Sequence, residues 1–357
     1  MKIILAFDSF KGCISAGQAC DAAYRAIRRR LPDATVVRLP MSDGGEGLVS
    51  CVSRFREVRM VTMRAHGPLM DELDATYAMS PDGKTAYMEM AATSGLTLVP
   101  EARRNPLLTT TYGVGEMVVD AARRGVRHIM MGIGGSATND GGAGMIEAIE
   151  ASGLKQSELP SMTVACDVDN PLCGPRGASA VFGPQKGATP EMVTVLDRRL
   201  EAFANDLISR GMATREMMNT PGSGAAGGLG FGLMAYLKAE LKPGIDLLLD
   251  MAGIDAELQD ADLVITGEGR SDAQTLMGKV PHGILKRASR AGVPVYLLSG
   301  SIDDPEGVLG GSGSGARCSN SFQLVRSINE GDTRPLEELL SPEVAFENLS
   351  RSVSSLF

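Results

Sequence analysis

Apolar residues in this chain come in short unbroken runs, and most runs lead into a polar loop containing glycine and then into a stretch with helical spacing. Lys2 to Phe7 is the first such run, read as a buried strand that meets Asp8-Ser-Phe-Lys-Gly12. Ala19, Ala22, Ala23, Ala26 and Ile27 then repeat at helical spacing, with Ser15 as N-cap and Arg28 to Arg30 at the C-terminal end. Ala34 to Pro40 is a second strand, followed by Ser42-Asp-Gly-Gly-Glu-Gly47 and a helix from Leu48. The fullest instance is Gly132 to Gly144, reading Gly-Ile-Gly-Gly-Ser-Ala-Thr-Asn-Asp-Gly-Gly-Ala-Gly, between a strand at Val126 to Met131 and a helix from Ala143.

The texture changes between Glu57 and Met90, where short β-rich segments surround turn signals at His66-Gly-Pro68 and Pro81-Asp-Gly83, as antiparallel strands do. Gly83-Lys84-Thr85 imitates the end of a P-loop, but Ala78 stands where that motif needs glycine, and Asp82-Gly83 reads as a hairpin turn. A helix is expected from about Gly113, with Thr109 to Thr111 able to cap it. Met162 to Cys166 is a strand leading into Asp167-Val-Asp-Asn-Pro171. Thr189 and Pro190 open a long helix with Met192, Val195, Leu196, Leu200, Phe203 and Leu207 on its core face. Pro221 to Gly230 is a second glycine run entering a helix. Asp262 to Thr266 is a strand ending in Gly267-Glu-Gly-Arg-Ser-Asp272, Val293 to Leu298 is a further strand, Gly310 to Gly315 is a low-complexity loop, and the tail from Pro335 is helical.

Repeated strand, crossover helix and strand with nearly all-apolar strands predict an α/β chain with parallel sheets buried on both faces and ligands beyond the carboxyl ends of the strands. Because the N-terminal strands and the strand at 293 share this character while antiparallel segments begin near residue 57, two domains are expected. Residues 1–58 and 281–357 would form a Rossmann-like parallel-sheet domain, and 59–280 an inserted mixed α/β domain, with the active site in the cleft between them.

Composition narrows the chemistry. With 357 residues, 43% hydrophobic content and a mean hydropathy near zero, the chain has ample core and no apolar run of membrane-spanning length. Met1 to Phe7 meets Asp8 too soon for a signal peptide, so the cytoplasm is the expected compartment and no membrane partner is expected. The six cysteines include no C-x-x-C pair and only three histidines accompany them, which leaves zinc and iron–sulfur sites without ligands and the thiols free. A net charge of −8, 4% aromatics and no tryptophan argue against a nucleic-acid surface.

The loops collect Asp8, Asp43, Glu46, Asp140, Asp167, Asp169, Glu268 and Asp272, with Lys11, Lys186, Arg270 and Lys279 as cations. Phosphoryl transfer needs carboxylates for Mg²⁺, one carboxylate to take a hydroxyl proton, cations for the moving phosphate and N–H cradles for the rest. In the 132–144 loop, Ser136, Thr138 and Asn139 add side-chain donors, and Asp140 offers a carboxylate to Mg²⁺ or a hydroxyl. Hydride transfer is less well served: Gly-x-Gly-x-x-Gly/Ala spacing recurs at 132/134/137, 222/224/227 and 311/313/316, too often to carry information. His66, His128 and His282 lack the partners of a nucleophilic triad. A nicotinamide-dependent hydroxy-acid dehydrogenase and a non-catalytic ligand sensor remain open at this level.

Ala6-Phe-Asp-Ser-Phe-Lys-Gly12, Met41-Ser-Asp-Gly-Gly-Glu-Gly47, Asn105-Pro-Leu-Leu-Thr-Thr-Thr-Tyr-Gly113, Gly134-Gly-Ser-Ala-Thr-Asn-Asp-Gly-Gly142, Cys166-Asp-Val-Asp-Asn-Pro171, Gly183-Pro-Gln-Lys-Gly187 and Gly267-Glu-Gly-Arg-Ser-Asp-Ala-Gln-Thr275 resemble the signature blocks of the bacterial glycerate kinases of type I, the glycerate 2-kinases. Phe7 and Cys13 depart from that pattern, standing where the family often has proline and a small polar residue. The resemblance implies an ATP- and Mg²⁺-dependent kinase of D-glycerate acting at the 2-hydroxyl, with 3-phosphorylation or a related small sugar acid as alternatives. On that footing Asp8, Ser9, Gly44, Gly45, Glu46 and Arg270 are expected to hold substrate. Gly134, Gly135, Ser136, Thr138, Asn139 and Lys279 are expected at the nucleotide, and Asp169, Glu268 and Asp272 at Mg²⁺. Asp43 is the candidate base, with Lys11 and Asp272 beside it in the chemistry. The expected partner is the small molecule D-glycerate, and a homodimer is compatible with the sequence.

Overall fold

The computed structural model describes residues 1–10, 12–42, 47–276, 278–304, 307–310 and 321–357. The chain divides into two compact units, one of Met1–Asp43, Arg54–Arg56 and Ile245–Phe357, the other of Gly44–Ser53 and Glu57–Gly244. It enters the first with strands β1 (Lys2–Phe7) and β2 (Thr35–Arg38). It crosses the second with β3 (Arg59–His66), β4 (Glu72–Met79), β5 (Thr85–Glu89), β6 (His128–Gly132), β7 (Ser161–Ala165) and β8 (Glu240–Lys242), and returns with β9 (Leu263–Gly267), β10 (Arg270–Asp272), β11 (Val295–Ser299), β12 (Ser301–Asp303) and β13 (Leu324–Ser327).

In the unit built on both termini, a sheet of order β13-β11-β9-β1-β2 is parallel at every pairing. A parallel strand inside such a sheet is covered on both faces, which is why β1 carries no alternation: Ile3, Ile4, Leu5, Ala6 and Phe7 are all fully buried. Each large side chain among them contributes roughly 1.5–3 kcal/mol by leaving water. β2 and β13 lie at the edges and are correspondingly mixed in character. The helix Ala16–Arg30 opens with a capping box, in which Gln18 N donates to Ser15 Oγ and Ser15 N donates to Gln18 Oε1. Its stripe of Ala19, Ala22, Ala23 and Ala26 shares a core with Ala345, Leu349 and Val353 of the C-terminal helix Pro342–Ser354.

The chain rejoins this unit at Ile245, well before the boundary at 281 expected from sequence. The strand Leu263–Gly267 therefore belongs to the terminal sheet, where Ile3 to Phe7 pair in register with Leu263 to Gly267. An all-apolar five-residue strand suits the centre of either parallel sheet, so its own residues do not announce which one it joins.

The other unit holds a sheet of order β3-β4-β5-β6-β7-β8, antiparallel between β3, β4 and β5 and parallel from β5 to β8. The Ser80–Thr85 connection is the hairpin turn read from Asp82-Gly83: Lys84 N donates to Asp82 Oδ1 and Thr85 N to Ser80 Oγ. Helix Pro190–Ser209 starts at the Thr189 cap and buries Leu196, Leu200, Ala204 and Leu207, whereas Val195, expected on that face, is 42% exposed. The low-complexity stretch at 311–315 lies outside the described residues. Among the described residues, no helix is long and apolar enough to cross a membrane, and Cys13, Cys20, Cys166 and Cys173 are free thiols.

Candidate active site

The Gly132–Gly144 segment leaves the carboxyl end of β6 and enters the helix Ala143–Ala151. Its backbone is pinned on one side by Leu96 N donating to Gly135 O (2.7 Å), Ala137 N donating to Ser94 O (2.8 Å) and Thr109 Oγ1 donating to Ala137 O (3.0 Å). On the other side lies the second glycine run. Gly141 N donates to Gly227 O at 3.0 Å, and a Cβ on Gly227 would stand 2.0 Å from Thr138 O. Ala226, Gly227 and Gly228 all have positive φ inside the helical span Ala225–Leu237, so this run is the seat of the first loop. Only glycine tolerates both that conformation and that approach at position 227.

What the pinning leaves open is a set of donors. Among the described residues, no acceptor takes the N–H groups of Gly134, Gly135 or Ser136, and these three residues reach solvent. Successive N–H groups of this kind, at a strand end with little side-chain bulk, form an anion cradle. Thr138 and Asn139 do not add to it as expected. Both side chains are buried, Asn139 Nδ2 donates to Ser179 Oγ, and Thr138 Oγ1 and Asn139 Oδ1 have no partner.

Asp140 is likewise engaged elsewhere. Its carboxylate accepts from Thr111 N and Thr111 Oγ1 (both 2.8 Å) and from Gly142 N and Gly144 N (both 3.2 Å). It thus closes the helix N-terminus and holds the Thr111 hydroxyl, with its acceptor sites taken up inside the protein. Thr111, expected to cap the helix Tyr112–Arg123, makes no side-chain cap there; its hydroxyl accepts from Met145 N at 3.0 Å while donating to Asp140.

Beneath the loop sits Lys186, at the end of the short 3₁₀ turn Pro184–Lys186 and 2% exposed. Its Nζ donates to Ser136 Oγ at 2.7 Å and to Thr138 O at 2.6 Å. Among the described residues it has no carboxylate partner, and burial pulls its pKa down to about 7, opposed by the charge of Asp140. Sequence reasoning counted Lys186 among the cations but gave it no place in the site. The available signal was a lysine enclosed by Gly183-Pro and Gly187 in one of the quoted blocks. Arg104, also overlooked, packs its carbonyl and Cβ against Gly187 and has a buried Nε without a partner.

The terminal unit gathers a second set of candidates where β1 and β9 end side by side. Asp8 N donates to Gly267 O at 2.9 Å, and the Asp8 carboxylate accepts from Ser9 N at 2.6 Å. Glu268, 6% exposed, accepts from Ser271 Oγ (3.0 Å) and Thr275 Oγ1 (2.7 Å). Lys279 Nζ lies between Glu268 (3.6 Å) and Asp272 (3.7 Å). Arg270 pairs with Asp303 at 2.6 Å and approaches Asp272 at 3.9 Å. Lys279, expected at the nucleotide, is therefore the counter-charge of this carboxylate pair. Asp169, expected beside Glu268 and Asp272, belongs to the other unit and forms an exposed pair with Arg176 at 3.2 Å. Lys11, Asp43, Gly44, Gly45 and Glu46 lie outside the described residues.

The donor sets fit the implied ligands in part. Three free N–H groups backed by a buried ammonium suit a polyphosphate. Glu268 and Asp272 suit Mg²⁺, which commonly takes one or two carboxylates and completes its octahedron with phosphate and water oxygens. No group of three or more metal-ligating side chains exists among the described residues. The histidines make local bonds: His66 Nδ1 with Glu116 (2.9 Å), His128 with Ser161 (2.8 Å), and His282 Nδ1 accepting from Gly278 N (3.2 Å). A cavity of about 440 Å³ lined by Arg64, Tyr112, Glu116, Asp120 and Arg123 includes none of the substrate, nucleotide, metal or catalytic candidates named from sequence.

A family model described as the glycerate kinase family matches the chain over residues 3–160 and 150–327. Glycerate kinase from Bacillus subtilis (strain 168) is 47% identical over 329 residues, covering 85% of each chain. Glycerate 2-kinase from Escherichia coli (strain K12) is 41% identical over 358 residues, covering 93% of this chain and 92% of its own. A crystal structure from Salmonella typhimurium LT2, provisionally assigned as glycerate kinase 2, superposes with a TM-score of 0.81 at 39% identity, covering 100% of this chain and 97% of the other.

Proposed function

The chain belongs to the glycerate kinase family, and from that premise we propose that it transfers the terminal phosphoryl group of ATP to the 2-hydroxyl of D-glycerate, giving 2-phosphoglycerate and ADP. The observation that carries the proposal beyond family membership is the cradle at Gly134–Ser136, with three N–H groups that take no acceptor among the described residues and the Lys186 ammonium behind them. A loop of this construction has little use for a neutral ligand and suits the β- and γ-phosphates of a nucleotide.

The remaining roles follow the chemistry of each residue. Glu268 and Asp272 hold Mg²⁺, which when bound offsets charge on the phosphates. Lys279, standing between the two carboxylates, keeps their mutual repulsion low before that ion arrives. Asp8, Ser9 and Arg270 bind glycerate together with Gly44, Gly45 and Glu46. Asp43 accepts the proton of the 2-hydroxyl as its oxygen attacks phosphorus, and Lys11 stabilises the charge that develops on the transferred group. Asp169, exposed and paired to Arg176, is left outside the metal site in this reading.

The test is phosphorus NMR of purified protein with D-glycerate, ATP and Mg²⁺, alongside a control lacking glycerate. A glycerate-dependent phosphomonoester coupled to a single proton identifies the 2-phosphate. Coupling to the two C3 methylene protons identifies the 3-phosphate and corrects the regiochemistry, while ATP left intact beside folded protein refutes the kinase reading.

A further inference from the structure

Lys186 presents an electrostatic problem that the described residues leave unsolved. A buried ammonium ordinarily sits against a carboxylate, because an unpaired charge away from water is costly. Here the two acceptors are a hydroxyl and a carbonyl, both neutral, and an ammonium has a third donor. Among the described residues, the charged group that acts on it is Asp140 of the loop. Asp140 already accepts four hydrogen bonds from Thr111, Gly142 and Gly144. The ammonium therefore lies without a charged hydrogen-bond partner on the inner side of a loop whose outer N–H groups take no acceptor among the described residues.

We propose that Lys186 is a positioning residue for the phosphoryl donor. By donating to Ser136 Oγ it leaves the Ser136 hydroxyl proton available to the ligand, and it supplies the positive charge that the polyphosphate meets, so that nucleotide and proton bind together. This rests on the reading of Gly134–Ser136 as the nucleotide cradle. An anion on the loop supplies the counter-charge that Lys186 lacks, and the ammonium form, which burial disfavours in the free protein, becomes the stable one. The depressed pKa of about 7 places the uptake in the range where it can be read.

The experiment is calorimetric titration of the full chain with ATP and Mg²⁺, without glycerate, at pH 8 in buffers of different ionisation enthalpy. The dependence of the heat on that enthalpy counts protons. With about one-tenth of Lys186 protonated before binding, uptake of about 0.9 proton per ATP is expected, and affinity should weaken about tenfold between pH 8 and pH 9. Lys186→Arg keeps the charge but does not titrate, so it should bind ATP with no uptake and no such pH dependence; Lys186→Met should bind weakly with no uptake. Wild-type binding without proton uptake overturns the proposal whatever the variants do, as does uptake that persists in Lys186→Arg. Absence of ATP binding by the wild type would fell the kinase reading as well.

Discussion

Gly227→Ala tests whether the second glycine run exists to seat the first loop. The added Cβ would stand 2.0 Å from Thr138 O and 2.6 Å from Asn139 Cα, both backbone atoms that no side-chain rotation can move aside. Gly211→Ala, in the same unit, is the matched control: φ is +70° there against +68° at Gly227, and an added Cβ meets nothing within 4 Å. The left-handed penalty for a non-glycine residue, about 1–2 kcal/mol, is common to both substitutions and cancels in the comparison. What remains at Gly227 is overpacking of about 1–3 kcal/mol and loss of the hydrogen bond from Gly141 N, about 1 kcal/mol. Gly227→Ala should therefore be less stable than Gly211→Ala by about 2–4 kcal/mol, read as the difference in urea unfolding by far-ultraviolet circular dichroism. Since the backbone that must yield is the Thr138–Gly141 segment, KM for ATP should rise in Gly227→Ala and stay unchanged in Gly211→Ala. Equal destabilisation of the two variants, or a normal KM for ATP in a clearly destabilised Gly227→Ala, refutes the argument.

Thr111→Val removes a hydroxyl that accepts from Met145 N and donates to Asp140, and should cost about 2–3 kcal/mol in the same unfolding measurement; a change below about 0.5 kcal/mol would show that water replaces both bonds. Glu268→Gln weakens a carboxylate proposed for Mg²⁺, so the Mg²⁺ concentration needed for half-maximal activity should rise severalfold, and an unchanged requirement would remove Glu268 from that role. In the free protein Lys186 has its pKa lowered by burial, so the unfolded chain holds more protons from about pH 7 upward, and native stability rises with pH there. Between pH 7 and 8.5 the wild type should gain roughly 1.6 kcal/mol relative to Lys186→Met, and parallel stability curves for the two would contradict the lowered pKa of Lys186.

Local rules made a large part of the fold legible. Ser15 as an N-cap and Thr189 with Pro190 are local N-terminal signals, and both caps form. The strand and helix on either side of the 132–144 loop were readable because the change from an apolar run to helical spacing is itself local. Partner choice was not. Leu263–Gly267 joins β1 because of a register spanning most of the chain, and nothing within those five residues encodes it. The same limit explains Asp140 and Thr111: each has a plausible local use, as a metal ligand and as a helix cap, but they meet each other across 29 positions instead. Lys186 was the hardest to read, since a lysine in a glycine-flanked turn is ordinarily solvated, and its burial depends on how the 183–187 turn packs beneath the loop.

The whole-chain charge and the loop's local charge point in opposite directions, and the difference bears on selectivity. At a net charge of −8 the protein as a whole repels polyanions, so long-range attraction cannot be what brings a nucleotide to this loop. Affinity has to arise within a few ångströms, from donors fixed in place before the ligand arrives. The structure supplies that fixation twice over: Ser94, Leu96 and Thr109 hold one side of the loop, and the Gly227 backbone holds the other. A fixed cradle orders little new backbone when it binds, so most of the interaction with the phosphates is retained as affinity. The asymmetry in its charges adds the selectivity. Among the described residues, Asp140 is saturated by hydrogen bonds on the helix side and the Lys186 ammonium has neutral partners only, so the donors at Gly134–Ser136 sit on a positive background that an adenosine or a neutral sugar would not satisfy.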